Sequence, residues 1–194
     1  MDEAEIVRQM QKGDMEAFDR IFEIYKNKLL RMAFLISGNY ADSEDIVQET
    51  FVKCYCERKS LKDISSFSSW LYQILTRTAW RYCKKQRREQ PCEEIFDSEQ
   101  PAADPLPLDS LIHREEQKAL YDQIGRLELK QKTTVVLYYF NQLSTREISR
   151  IMGCREGTVK SRLYTARKNL EKAITEETLY KEEDSAWKKK SLIL

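Results

Sequence analysis

A single histidine, His113, stands in 194 residues, with only five glycines and four prolines. So little histidine argues against His-based metal centres and removes the commonest general base. The scarcity of glycine and proline leaves few turn signals, and no clean alternating apolar run is present. Both exclude a β-rich fold and predict an all-α chain. No Gly-rich phosphate cradle is found, so nucleotide hydrolysis is not expected. The five cysteines (Cys54, Cys56, Cys83, Cys92, Cys154) are odd in number and none stand at C-x-x-C spacing. They read as reduced thiols rather than as a zinc site or a disulfide framework. Neither a signal peptide nor an apolar run of membrane-spanning length is present. The expectation is a soluble, cytoplasmic protein without metal or cofactor. No convergent acid, base and nucleophile set is present, so it is not expected to be an enzyme.

What is present is charge, and it is segregated. Charged residues make up 34% of the chain, yet the formal net charge is only +1. Arg77 to Arg88 holds six basic residues and no acidic one, whereas Glu89 to Glu116 carries a net of −8. Ser144 to Lys172 returns to a net of +5. Segregation of this kind suggests parts that meet different partners.

Four parts can be read. Residues 1–88 are expected to form a bundle of amphipathic helices. Asp14 caps a helix carrying Phe18, Ile21, Phe22, Tyr25 and Leu29. The next helix runs from about Asp42 to Cys56, and another from Ser66 or Ser68 to about Arg87. Residues 89–110 hold all four prolines and many carboxylates, which predicts a mobile acidic linker. Residues 111–174 form a second helical unit, and residues 175–194 a charged tail without an assigned role.

The second unit holds the most informative stretch. Ser144 followed by Glu147 is a capping box that opens a short helix. Gly153 ends it with a residue that takes positive φ cheaply. A basic helix follows, with Val159 and Leu163 on one face and Lys160, Arg162 and Arg167 toward solvent. The spacing of Ser149, Gly153 and Val159 is that of a helix-turn-helix, whose second helix enters the DNA major groove. A pair this basic fits a polyanion, DNA first.

Two constellations stand out in the first unit. Asp45, Gln48 and Glu49 fall at i, i+3 and i+4, opposite the apolar stripe of Ile46, Val47, Thr50 and Phe51. They read either as a solvated face or as a docking face for another protein. Farther on, Tyr72 and Trp80 alternate with Arg77, Arg81 and Lys84. Aromatic rings interleaved with cations suit an unpaired DNA strand, by stacking and by phosphate pairing. Packing of Trp80 against a neighbouring helix is the alternative.

Two blocks together resemble the extracytoplasmic-function (ECF) sigma factors, the small sigma subunits of bacterial RNA polymerase in the sigma-70 superfamily. The first is Asp42 to Phe51 with Phe67, Trp70, Leu71, Tyr72 and Ile74. The second is Leu143 to Arg167 with Gly157, Thr158, Val159, Lys160, Ser161, Arg162 and Leu163. The resemblance implies a region-2-like domain over 1–88 and a region-4-like domain over 111–174. It implies that Asp45, Gln48 and Glu49 dock on core RNA polymerase. It implies that Tyr72, Arg77, Trp80, Arg81 and Lys84, with the loop 57–66, capture and melt the minus-ten element. Arg155, Thr158, Lys160, Ser161, Arg162, Tyr164 and Arg167 would meet the minus-35 duplex. An anti-sigma partner and a stress or envelope regulon are implied as well. Thr165 departs from the family, where arginine is common.

The residues alone leave other readings open. A stand-alone helix-turn-helix repressor or activator would use the same second unit, usually as a dimer. A helical protein-interaction module without a DNA role is a third, and the basic helices speak against it.

Overall fold

The computed structural model describes residues 2–89 and 120–191, and every element within them is helical. The expected linker at 89–110 lies outside the described residues, apart from its first position. Helix α1, Glu3–Lys12, was not singled out in the sequence. It buries Ile6, Val7 and Met10 and ends at Gly13, whose φ of 98° lets the chain reverse into the next helix. There Asp14 accepts a hydrogen bond from the Ala17 amide and opens α2, Met15–Ser37. Asn39 caps α3, Tyr40–Glu57, by accepting from the Asp42 amide. Side-chain caps of this kind satisfy amides that the first helical turn leaves without partners.

Two 3-10 turns, Arg58–Ser60 and Ile64–Ser66, lead into α4, Phe67–Glu89. Helices α2, α3 and α4 bury Ile21, Tyr25, Leu29, Ile46, Phe51, Phe67, Leu71 and Leu75 against one another. Tyr25 donates to Glu3 Oε1 at 2.7 Å and so fastens α1 to the bundle. Burial and the Glu3 carboxylate push the Tyr25 phenol well above its ordinary value.

The second half begins with α5 over the described residues 120–125, followed by α6, Leu129–Val135. Next comes a π-helical stretch, Val136–Phe140, which the sequence did not signal. Asn141 closes it: its side-chain amide donates to the Val136 carbonyl at 3.1 Å. The chain then enters α7, Thr145–Met152, and α8, Glu156–Ser191. The helix thus continues through most of the tail.

The halves expected as separate modules share one apolar core. Val136, Leu137, Ile148, Ile151 and Met152 join the same buried cluster as the α1–α4 residues. Polar contacts stitch the seam. Trp80 Nε1 donates to Thr133 Oγ1 at 2.9 Å, and the Gln73 amide donates to the Arg150 carbonyl at 3.2 Å. Arg31 donates to the Tyr121 hydroxyl and lies 5.4 Å from the centre of the Phe140 ring.

Candidate nucleic-acid interface

The helix-turn-helix is built as its spacing implies. Ser144 Oγ accepts from the Glu147 amide at 3.3 Å, while the Glu147 carboxylate accepts from the Ser144 amide at 2.8 Å. The Ser144 hydroxyl also donates to that carboxylate at 2.6 Å, and this bond first, with the one from the Ser144 amide, holds the Glu147 carboxyl below its usual value. Gly153 sits at φ 62° and ψ 40°, and its amide donates back to the end of α7. A Cβ there would meet nothing within 4 Å. The left-handed backbone, not a lack of space, is what calls for glycine.

Helix α8 then splits its residues between two sides. Val159, Leu163 and Ala166 are buried, at 0 to 4% exposure. Lys160, Ser161, Tyr164 and Arg167 face solvent, as does Arg155 in the turn before the helix. Thr158 and Arg162 are half-buried. Several of the outward cations already have partners. Lys160 Nζ lies 3.0 Å from Glu156 Oε1, and the Arg162 guanidinium donates to Cys154 Sγ at 3.6 Å. Arg167 donates to the Tyr139 hydroxyl at 2.6 Å and also lies over the Tyr138 ring.

The site expected on α4 is only partly exposed. Arg77, Arg81 and Lys84 point to solvent. Tyr72 does not: it is 2% exposed, with its ring packed on Tyr25 and Lys28 stacked against it. It is a core residue, because its helical position turns it toward α2 beside Leu71 and Leu75. The sequence pattern had placed it on the outer side, and the structure corrects this. Trp80 is half-buried under α6 through its bond to Thr133, which realises the alternative of packing on a neighbouring helix. Thr76, one turn before it, is fully buried and its hydroxyl has no hydrogen-bond partner.

The acidic side of α3 is likewise mixed. Asp45 and Gln48 are exposed, whereas Glu49 is engaged by Lys53 at 2.8 Å and by Arg81 of α4. Burial pushes the Glu49 carboxyl up, but these two cations outweigh it and hold the group below its ordinary value. Two residues expected to meet different partners, Glu49 and Arg81, therefore meet each other.

Some features went unseen in the sequence. Gln11 of α1 donates to the carbonyls of Arg58 and Leu61, at 3.2 and 2.7 Å, and so holds the loop before α4. The Asp63 carboxylate gathers the hydroxyls of Ser65 and Ser66, which hold it below its usual value. Long-range contacts such as that of Gln11 leave no periodic signal. A groove of about 720 Å³ runs between α2 and α3, lined by Met15, Phe18, Phe22, Phe51, Val52 and Tyr55, with Gln48 among its lining residues. Phe22 looks like an ordinary core residue by spacing, yet it is 37% exposed, and Val52, which falls with Asp45 and Gln48 on the outer face, is 57% exposed. Among the described residues no group of His, Cys, Asp and Glu could hold a metal ion, and no helix is long and apolar enough to cross a membrane.

A helical bundle followed by a helix-turn-helix defines a two-part, all-α class of protein, and comparison with known proteins gives its family. The family pattern "Sigma-70 region 2" matches residues 21–89, and "Sigma-70, region 4" matches residues 117–170. The chain is 33% identical over 176 residues to the ECF RNA polymerase sigma factor SigW of Bacillus subtilis, covering 87% of this chain and 94% of SigW. It is 33% identical over 178 residues to the ECF RNA polymerase sigma-E factor of Haemophilus influenzae, covering 87% and 93%. Among solved structures, the sigma factor RpoE of Bartonella quintana, in complex with the anti-sigma factor NepR, matches with a TM-score of 0.66 at 26% identity, over 81% of this chain and 96% of that one. CnrH, solved with the cytosolic domain of CnrY, matches in fold with the same TM-score at 18% identity, over 89% and 97%. The chain belongs to the ECF RNA polymerase sigma factors of the sigma-70 family. A stand-alone repressor is thereby set aside.

Proposed function

We propose that this sigma factor assembles with core RNA polymerase through Asp45, Gln48 and Glu49 and reads promoter DNA with two further surfaces. Arg155, Thr158, Lys160, Ser161, Arg162, Tyr164 and Arg167 meet the upstream, minus-35 duplex. Arg77, Trp80, Arg81 and Lys84, with the loop 57–66 ahead of α4, take the unpaired strand of the downstream, minus-ten element. The observation that carries this reading is the split of α8, whose cations face outward from a helix anchored by Val159, Leu163 and Ala166. A recognition helix in a major groove needs both features.

Melting draws on binding energy to a captured strand: stacking for bases and cations for phosphates. The sigma factor performs no bond chemistry of its own, and it acts where DNA and polymerase are, in the cytoplasm. In this structure the Trp80 edge is covered by α6, so strand capture requires the two halves to part there. A protein antagonist, of the kind seen with the similar RpoE chain, fits as the regulator of such parting. Run-off transcription with core polymerase across genomic fragments tests the reading. Defined start sites that need this chain are expected. Transcription identical with and without it would overturn the proposal.

A further inference from the structure

The outer side of α8 carries a carboxylate that the function above does not use. Glu156 is the first residue of α8, and its Oε1 accepts from Thr145 Oγ1 of α7 at 2.8 Å while lying 3.0 Å from Lys160 Nζ. Lys160 and Thr145, with Arg146 nearby, hold the Glu156 carboxyl below its ordinary value, so it is ionised at neutral pH. As an exposed i, i+4 pair it contributes little to stability. It also places a negative charge on the face offered to a polyanion, which opposes affinity. The tie to Thr145 makes it more than a loose surface pair. Thr145 is the first residue of α7 behind the Ser144 cap, so the carboxylate is fixed to both helices at once.

We propose that Glu156 and Lys160 act as a unit that reads one G·C base pair of the upstream element. This rests on the helix-turn-helix meeting that duplex. The major-groove edge of a G·C pair offers the cytosine N4 amino group as a donor beside guanine O6 and N7 as acceptors. N4 and O6 are joined in the pair at about 2.9 Å. That spacing matches the separation of the Glu156 oxygen from the Lys160 nitrogen. The carboxylate accepts from N4 while the ammonium donates to O6 and N7. An A·T pair also offers a donor beside an acceptor, but with two penalties. The carboxylate at adenine N6 would face the lone pair of N7, and the ammonium at thymine O4 would meet the C5 methyl group. Phosphate is a poor substitute as well. Lys160 could reach it only by leaving Glu156 uncompensated beside the backbone. The pair thus weakens non-specific binding and rewards one edge.

The test uses the full chain with core polymerase and a promoter library randomised at the upstream element, read by sequencing the bound or transcribed fraction. The native protein is expected to prefer G·C at one position by about tenfold or more. Glu156→Gln keeps an acceptor for Thr145 but removes the charge. A side-chain amide pairs with adenine N6 and N7, so preference at that one position is expected to move toward A·T. Lys160→Ala is expected to erase it, and Thr145→Val to blunt it several-fold. A purely structural role for Glu156 would lower occupancy of all sequences together and leave the base profile unchanged. That result, with the native upstream preference intact, overturns the inference alone. Loss of any upstream preference in the native protein overturns both the inference and the reading of the helix-turn-helix on which it rests.

Discussion

Lys160 follows Arg155 by five positions, and their surroundings divide their work. Arg155 stands exposed in the turn, and in the function proposed above its guanidinium would meet backbone phosphates rather than base edges. Arg155→Ala is expected to weaken binding of the polymerase–sigma complex to all upstream sequences alike. The slope of log affinity against log salt should fall by about one. A titration series in salt checks this; an unchanged slope would remove Arg155 from the phosphate contacts. Ionisable residues inside the bundle behave differently. Burial pushes the Cys54 thiol up to about 12, so it stays protonated and unreactive while Cys56 is exposed. Alkylation followed by peptide mapping is expected to label Cys56 well before Cys54. This difference was legible: Cys54 follows Thr50 by four and Phe51 by three positions on the apolar stripe of α3, and Cys56 falls off it.

At the scale of elements, the local rules carried far. Asp14, Asn39 and Ser144 each cap a helix, and Gly153 takes the left-handed conformation that ends α7. Cap chemistry is short-range, so spacing alone displays Asp14 and Ser144, as well as the turn at Asn39. Ser144→Ala is expected to cost about 1 kcal/mol of stability. A lower thermal midpoint with unchanged helix content would confirm it. The paired Glu147 adds a pH dependence of known sign. Its carboxyl titrates lower in the folded state than its ordinary value, near 4.3. Its contribution is therefore complete above that value and is lost as pH falls through the lower, folded one. Thermal unfolding followed from about pH 6 downward should show a steeper loss for the native chain than for Glu147→Gln. What the elements did not disclose was α1, with a cap residue that makes no side-chain bond, and the π-helical stretch. A π stretch needs only one bond pattern shifted by a residue, which apolar spacing does not register. Tyr72 misled for a related reason. Periodicity reports which side of a helix is apolar, and an aromatic at the border of that side can fall either way.

In the whole molecule, composition marked the division into parts but not how they meet. Residues 21–89 and 117–170 carry separate family patterns, yet Trp80, Gln73 and Arg31 tie the halves together. Contacts between residues more than fifty positions apart leave no local trace, so this closure could not be read ahead. The seam is partly polar, with the Trp80 N–H satisfied by the Thr133 hydroxyl. Thr133→Val removes the acceptor for the Trp80 N–H without changing shape. It is expected to raise binding of a single-stranded oligonucleotide by the free chain on the order of fivefold. Unchanged binding would show that the covered Trp80 edge does not limit access. On the opposite side, Asp45→Ala with Gln48→Ala is expected to reduce capture of core polymerase while duplex binding by the complex that still forms keeps its sequence preference. Pull-down and footprinting separate the two effects.

The division of α8 into an anchoring side and an outward side has a consequence for descent with modification. Val159, Leu163 and Ala166 are buried and constrained by the fold, whereas Glu156, Lys160, Ser161 and Tyr164 lie on the side proposed to meet DNA and are not held by the core. Mutational drift among the latter can retune which genes respond while the scaffold keeps folding. Paralogues within one genome can thus diverge in their target sites without each having to reinvent a stable protein.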